Sequence, residues 1–394
     1  MKRLIVFASS LLAGCLIMAA CGGRLYSCTD ALGCVEVKPD EAIKIGVAVT
    51  LSGPDSVTGI DSLRGIEIAV YHQQDLLGHP IELIKADERC EAAGGEEAAT
   101  TMAANPQIVG VIGTSCSSAG VPAARILSDA GMVLISPSNT APSLTDPATH
   151  QPGYLRTIFN DKAQGKVVAE FAYSALGVRT MATVHDSTPY SSELQKVACE
   201  IFQQLGGRCI AQVEVDFASA NALEVLLQIS ALNPDALYYP LYNEEGALVT
   251  QNVKAAGLEN AALITSDGLL NDEFFSLTGQ ESEGMYFSGP SVLEIDPAFL
   301  QEYRTRYGED PIDVLHAQAY DAAMMLFAAI EKVAVKGADG TLYIPRQALR
   351  EALYATKDMQ GLSGVLTCSP DGDCAYPNIQ IYQKRGDEVV PIYP

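Results

Sequence analysis

The sequence predicts an α/β protein built from two doubly wound α/β lobes. Short apolar runs alternate with helix-length segments from residue 42 onward, and the same alternation restarts after residue 157. At 394 residues the chain is too long for a single compact core. Repeated strand–helix–strand units imply right-handed crossovers and mostly parallel sheets covered by helices on both faces.

The first series of elements ends before residue 157. Its first helix places the apolar residues Ile60, Leu63, Ile66 and Val70 at helical spacing. The predicted strands are 43–50, 80–86, 108–113 and 132–136, and the predicted helices are 58–74, 92–104 and 119–130.

The second series has the same pattern and is followed by helices and an alternating tail. Its predicted helices are 162–175, 192–204, 222–232 and 244–256, and its strands are 181–186, 209–216, 236–239 and 261–266. Three helices then follow at 297–307, 314–336 and 346–356. In the tail at 364–394, apolar and polar residues alternate as they do in the strands of a hairpin. This tail must join an existing sheet, so the chain crosses between the lobes more than once. We expect lobe I to comprise 42–157 with 291–365, and lobe II to comprise 158–290 with 366–394.

The N-terminus has the composition of a lipoprotein signal peptide. A basic start precedes an apolar run at 4–20, which is typical of secretion and too short for a stable membrane span. Both Cys15 and Cys21 follow small residues, as a lipidated cysteine does. Cleavage before Cys21 removes the whole apolar run and leaves an even number of later cysteines. We therefore expect a signal peptide at 1–20, lipidation at Cys21 with Cys15 as the alternative, and a lipid-anchored tether at 21–41.

The eight cysteines after the signal segment fall into near pairs, as expected for an oxidising compartment. The predicted disulfides are Cys28–Cys34, Cys90–Cys116, Cys199–Cys209 and Cys368–Cys374. A metal site is not expected, because the sequence has no CxxC and only five histidines.

Charge and motif content exclude several classes of function. A net charge of −23 argues against nucleic acid as a partner and disfavours an anionic ligand. The sequence has no G-x-S-x-G elbow, P-loop, H-E-x-x-H or suitably placed G-x-G-x-x-G, so we expect neither catalysis nor a cofactor. A secreted hydrolase and a ligand-sensing receptor component on the same fold remain as alternatives.

Two hydroxyl-rich runs mark the candidate site. SCSS at 115–118 and SPSNT at 136–140 each follow an apolar strand. Ligands of such sheets bind beyond the carboxyl ends of the strands. Hydroxyl and backbone N–H groups there suit a small zwitterion.

Several segments, taken in order, resemble type I periplasmic binding proteins of the leucine/isoleucine/valine-binding kind. These are the substrate-binding components of branched-chain amino-acid ABC transporters. The resemblance spans about 43–394, and its segments are IKIG with LSGP (43–54), IG before CSS (112–118), SP before TAP (136–142), LRT (155–157), AAGL (255–258) and YG before P (307–311). It implies two lobes joined by three crossovers that close around the ligand, and it supports the Cys90–Cys116 disulfide. It also implies a monomer that delivers a free amino acid to permease subunits.

The resemblance implies that the first lobe binds the α-carboxylate and α-ammonium groups, which all α-amino acids share. Ser117 and Thr140 match positions that bind the α-carboxylate and α-ammonium groups through hydroxyl and backbone. Ser138 matches a position whose carbonyl accepts from the ammonium. Asn139 belongs to the same predicted ligand-binding run.

Other residues are assigned to the second lobe and to specificity. Asp267 stands where the family places an acidic residue against the ammonium, and Tyr190 and Tyr242 match tyrosines of the cleft. Thr58 and Ser115 replace a tyrosine and a leucine-like residue beside the ligand side chain. A more polar pocket follows, which leaves open a branched-chain, larger, polar or aromatic amino acid, or a small amide.

Overall fold

The computed structural model describes residues 27–218, 221–291 and 295–394, and these form two α/β lobes. The predicted signal peptide and both candidate lipidation sites, Cys15 and Cys21, lie outside the described residues. Within the described ranges, no helix is both long enough and apolar enough to cross a bilayer.

The first lobe is built on a six-stranded sheet in the order β3-β4-β2-β5-β6-β7. Its elements are β1 (Cys34–Val37), β2 (Ile43–Val49), α1 (Ser56–Gln73), β3 (Asp75–Leu76), β4 (His79–Asp87), α2 (Ala92–Ala103), β5 (Ile108–Gly113), α3 (Ser117–Asp129), β6 (Leu134–Ser136) and β7 (Tyr154–Arg156). All neighbouring pairs are parallel except β3 with β4. The all-apolar strand β5 is buried along its whole length, as expected for a central strand covered on both faces.

The second lobe is built on a seven-stranded sheet in the order β18-β17-β12-β11-β10-β8-β9. Its first elements are α4 (Asp161–Glu170), β8 (Thr180–His185), α5 (Pro189–Gln204), β9 (Arg208–Glu214), α6 (Ala222–Ser230), β10 (Ala236–Tyr238), α7 (Asn243–Asn252), β11 (Ala262–Thr265), α8 (Asp272–Thr278) and β12 (Tyr286–Pro290). The sequence analysis did not predict α8, and a π-helical turn at Phe171–Ala175 continues α4.

The rest of the chain returns to the first lobe and then crosses back. Its elements are α9 (Pro297–Tyr307), α10 (His316–Val333), β13 (Val335–Lys336), β14 (Leu342–Pro345), α11 (Arg346–Tyr354), β15 (Met359–Gln360), β16 (Val365–Leu366), β17 (Ile379–Arg385) and β18 (Glu388–Tyr393). Helix α10 packs on α1 through buried apolar side chains, and β17 with β18 forms the antiparallel hairpin that the tail pattern predicted.

Three crossovers join the lobes: after β7, after β12 and before β17. Two predicted boundaries differ from this arrangement. Residues 34–37, placed in the tether, form β1, which pairs with β14 and buries Val35 and Val37 in the first lobe. Leu366 and Cys374, placed in the second lobe, are buried in the first, and Cys374 belongs to its main core. These segments are too short for a clear local pattern, and their pairings depend on residues distant in the chain.

All four expected disulfides are present in the structure. They join Cys28 to Cys34, Cys90 to Cys116, Cys199 to Cys209 and Cys368 to Cys374. The Cys90–Cys116 bridge ties the loop after β4 to the loop after β5, at the edge of the sheet that carries the hydroxyl runs.

Candidate ligand-binding cavity between the lobes

A cavity of about 50 Å³ lies where loops at the carboxyl ends of strands from both sheets face each other. This is the edge at which α/β sheets bind ligands. Seven of the nine residues predicted to bind ligand line it: Thr58, Ser115, Ser138, Thr140, Tyr190, Tyr242 and Asp267. Ser117 and Asn139 do not contribute to its lining.

Ser117 and Asn139 shape the first-lobe loops from behind. The Ser117 hydroxyl accepts the Ala141 N–H at 3.2 Å. The Asn139 side chain is fully buried and makes two 2.9 Å hydrogen bonds to Thr114, accepting from its hydroxyl and donating to its carbonyl. The sequence analysis groups these residues with their cavity-lining neighbours, because side-chain direction within an irregular loop follows no sequence period.

A buried carboxylate occupies N–H groups of the first hydroxyl run. Glu88 Oε1 accepts from the backbone of Ser115 at 3.0 Å and of Cys116 at 3.3 Å, and from the Thr50 hydroxyl at 2.7 Å. Burial raises the Glu88 pKa, while these hydrogen bonds oppose the increase. The Ser115 hydroxyl accepts the Thr50 N–H at 3.1 Å. The first run is therefore largely committed inside its own lobe.

Arg156 fixes the second hydroxyl run. Its fully buried guanidinium donates from Nη1 to the carbonyls of Asn139 and Ala141, each at 3.0 Å. It also donates to the Thr145 hydroxyl and, at 2.5 Å, to Asp373. A planar fork with five donors can hold a loop of carbonyls in this way. The sequence marked Arg156 as part of a family segment but gave it no role.

In the second lobe, Asp267 follows β11 and is held by two donors. Its Oδ1 accepts from Gln164 Nε2 at 2.8 Å and from the Tyr190 hydroxyl at 3.0 Å. Burial raises the Asp267 pKa, and these two hydrogen bonds lower it. Since Oδ2 takes part in neither bond, one carboxylate oxygen is oriented and the other is left for a further donor.

A second carboxylate lies behind this one. Asp161 is fully buried, and neither of its carboxylate oxygens hydrogen-bonds to another described residue. Burial raises the Asp161 pKa well above its ordinary value, and the negative charge of Asp267 raises it further. The positive charge of Arg156 opposes this increase. A positive group placed against Asp267 would relieve the repulsion within this acidic pair.

The two predicted cleft tyrosines form one wall. The rings of Tyr190 and Tyr242 stack with centroids 5.0 Å apart and planes 29° apart. The Tyr190 hydroxyl also lies 2.7 Å from Ser266 Oγ and accepts the Gly268 N–H at 3.2 Å. This network holds the wall and Asp267 as one unit.

Direct contacts between the lobes close the cavity. Asn243 Nδ2 donates to Asp55 Oδ1 at 3.4 Å, and the Ser143 N–H donates to Glu193 Oε2 at 2.8 Å. Each bond joins one lobe to the other, so both exist only when the cleft is closed.

Four polar residues that the sequence analysis did not select also line the cavity: Asp55, Asn243, Asn271 and Asp313. Asp55 lies between β2 and α1, and Asn243 is the first residue of α7, which follows β10. Asp313 belongs to a segment predicted as irregular, and nothing in its local sequence indicated the site. Burial raises the pKa of Asp55 and of Asp313 to about 7 in each case.

The cavity adjoins a larger chamber. Asn271 and Val314 line both the cavity and a mainly apolar space of about 450 Å³ beside the crossover after β12. In the part of the chain that the structure describes, no three His, Cys, Asp or Glu side chains are grouped to hold a metal ion.

Comparison with known proteins places this architecture in a family. The sequence profile of the family described as "Periplasmic binding protein" matches residues 42–383. A "Leu/Ile/Val-binding protein homolog 3" of Brucella melitensis is 26% identical over 360 residues, covering 88% of this chain and 93% of the relative.

Two solved structures share the fold over nearly the whole chain. A leucine-binding protein, LivK, of Thermotoga maritima has a TM-score of 0.77 at 26% identity, covering 89% of this chain and 98% of its own. LivJ of Streptococcus pneumoniae, a branched-chain amino acid transporter substrate-binding protein in complex with isoleucine, has a TM-score of 0.76 at 22% identity, covering 90% and 100%. The chain therefore belongs to the periplasmic binding protein family, has the type I fold, and is a substrate-binding protein, not an enzyme.

Proposed function

We propose that this protein captures a free α-amino acid in the interlobe cavity and delivers it to the permease of an ABC importer. Its family works outside the cytoplasm. We further propose that it acts as a monomer and that lipid on Cys21, or alternatively Cys15, holds it at the membrane. The names of its relatives support an amino-acid ligand, since they are Leu/Ile/Val-binding proteins.

The main support for this proposal is the arrangement of the cavity, in which uncharged hydrogen-bond donors of one lobe face an oriented carboxylate of the other. Ser138 and Thr140 line it from the first lobe, and Asp267 lines it from the second. Small hydroxyl and N–H donors suit an α-carboxylate, and a carboxylate must pair a desolvated ammonium. In this proposal Ser117 and Asn139 support the loop, and Thr58 and Ser115 face the side chain.

Closure is the mechanism that this arrangement supports. The ligand's carboxylate is held by the first lobe, and its ammonium bridges to Asp267 of the second. Closing the lobes then completes the interlobe bonds of Asp55 with Asn243 and of Ser143 with Glu193. Binding free energy is used to favour the closed form, which the permease can distinguish from the open one.

Thermal denaturation and calorimetry with the mature protein test the amino-acid ligand. At least one free α-amino acid should raise the melting temperature in a concentration-dependent way, because a ligand that binds only the folded state stabilises it. Its N-acetyl and methyl ester derivatives should not, since each removes one end of the zwitterion. If no amino acid stabilises the protein, or if both derivatives bind as well as the parent, the proposal is wrong.

Membrane fractionation tests the anchor. Expressed with its own signal segment, the wild type should partition with membranes, and Cys21→Ser should release it. A Cys15→Ser control should remain with membranes, and the reverse pattern would assign the lipid to Cys15. Release by neither substitution would refute lipid anchoring.

A further inference from the structure

The cavity has more carboxyl groups than one α-ammonium group can pair. Three of them, those of Asp55, Asp267 and Asp313, contribute to its lining. The residues described as lining it include no lysine, arginine or histidine. If Asp267 pairs the ammonium, Asp55 and Asp313 have no cation among the described lining residues.

The charge of Asp55 is only weakly compensated within the protein. Asp55 stands at the N-cap of α1, yet its side chain makes no capping hydrogen bond. The Asn243 side chain donates to it at 3.4 Å, and the Asn243 backbone N–H lowers its pKa. Burial raises the Asp55 pKa, and the negative charge of Glu245 raises it further. The surroundings of Asp55 therefore disfavour its charge as long as no cation is present.

The carboxylate of Asp313 likewise has no positively charged partner among the residues that line the cavity. Its carboxylate accepts the N–H of the next residue, Val314, at 2.7 Å. The ring of His316 lies nearby but bonds to Asp61 at 2.9 Å, and Asp61 also accepts the Tyr303 hydroxyl at 2.7 Å. The nearest histidine is thus directed to another carboxylate. The Asp313 carboxylate lines the cavity beside Thr58, whose hydroxyl lowers its pKa without supplying a positive charge.

Asn243 gives an independent indication of a ligand group. It is only 1% exposed and lines the cavity. Its Nδ2 donates to Asp55, which fixes its Oδ1 as the second atom of the amide, and among the described residues that oxygen has no hydrogen-bond partner. A buried acceptor left unpaired is costly, so an N–H donor from the ligand is favoured there.

We propose that the ligand carries a second positively charged nitrogen, so that it is an amino acid with a cationic side chain recognised by Asp55, Asn243 and Asp313. This proposal rests on the proposed function, because it assigns the α-amino acid head to Ser138, Thr140 and Asp267. Two carboxylates and an amide oxygen form an acceptor set suited to an ammonium or guanidinium group. A neutral aliphatic side chain would leave the Asn243 oxygen unpaired and would offer no positive charge to Asp55 or Asp313 in a closed cavity.

The cavity does not fix the length of the side chain. Its volume of about 50 Å³ suits a short chain, while its border with the 450 Å³ chamber at Asn271 and Val314 gives a longer chain room to extend. The test therefore needs a series of diamino acids of increasing length, each paired with the amino acid that lacks only the terminal nitrogen.

Isothermal calorimetry of the mature protein provides this test. The probes are L-2,4-diaminobutyrate against L-2-aminobutyrate, L-ornithine against L-norvaline, and L-lysine against L-norleucine, with L-arginine and L-leucine added. At least one cationic member should bind ten or more times more tightly than its neutral partner.

Substitutions then assign the preference to residues. Asp55→Asn and Asp313→Asn should each reduce the affinity for the cationic ligand at least tenfold and change that for its neutral partner less than threefold. Glu259→Gln is the matched control, because it removes an exposed carboxylate at the amino end of β11, away from the cavity. Its cationic preference should equal that of the wild type.

The outcomes separate the two proposals. If L-leucine or another neutral amino acid binds as tightly as every cationic probe, the cationic side chain is refuted while amino-acid binding stands. The same holds if the preference survives both aspartate substitutions. If no probe and no other α-amino acid binds, both proposals fail.

Discussion

Replacing Asp267 by asparagine should weaken ligand binding without lowering the stability of the folded protein. The substitution keeps an oxygen that can accept from Gln164 and Tyr190, which now bond Oδ1 at 2.8 and 3.0 Å. It removes the negative charge and places an NH₂ group where Oδ2 was. The network should survive, while the partner of the ligand ammonium is lost.

The expected loss follows from the position of Asp267 at the edge of a closed cavity. Two unit charges about 4 Å apart attract by roughly 4 kcal/mol at an effective dielectric constant near 20. Part of this offsets desolvation of the ammonium, so the net loss should be about 2 kcal/mol, which corresponds to a roughly 30-fold weaker dissociation constant.

The ligand-free protein should respond in the opposite direction. Asp161 lies buried beside Asp267, and the negative charge of Asp267 raises its pKa. Removing one of two like charges relieves their repulsion, so the melting temperature of Asp267→Asn without ligand should equal or exceed that of the wild type.

Calorimetry gives the affinity, and thermal unfolding with and without ligand gives both stabilities. Glu259→Gln, introduced above, controls for loss of one negative charge in general. Affinity within threefold of the wild type would refute the ammonium role of Asp267. A large loss of stability without ligand would show instead that the charge supports the fold.

Three further predictions concern the clamp that Arg156 forms on the second hydroxyl run, the closure of the lobes, and the pH dependence of stability. Arg156→Lys should lower the free energy of unfolding by about 3 kcal/mol in denaturant titrations, because an ammonium cannot replace the buried guanidinium fork; an unchanged midpoint would refute the clamp. Glu193→Ala should weaken ligand binding about fivefold by calorimetry without touching the cavity, since it removes the group that accepts the Ser143 N–H from the other lobe, a bond worth about 1 kcal/mol; equal affinity would show that this contact does not favour closure. The folded-state pKa of about 7 for Asp55 and Asp313 lies above the ordinary aspartate value of 3.8, so the folded protein binds more protons between these two values. Ligand-free stability should therefore fall as pH rises from about 4 to 7, and denaturant titrations should show a smaller fall in the variant with asparagine at both positions; an identical pH profile would contradict the raised values.

Much of the observed fold could be predicted from local patterns of apolar and polar residues. Helix α9 begins and ends where its spacing predicted, and the parallel sheets follow from the repeated strand–helix alternation. Strand β1 could not be recognised in this way, because its four residues become a strand only by pairing with β14, about 300 residues later in the chain. The short helix α8 was also missed, since seven residues carry too little periodicity to be distinguished from a loop.

The sequence by itself determined the two-lobe class, the cysteine pairing and the hydroxyl-rich turns at the strand ends. These depend on composition and period over neighbouring residues, which the chain displays directly. Tertiary structure decided which atoms of those turns are available. Glu88 occupies the N–H groups of Ser115 and Cys116, and Arg156 fixes the carbonyls of the second run. Closure of the lobes brings Asp55 against Asn243. The hydrogen bond between them joins residues 188 positions apart, so no local sequence pattern could have indicated it.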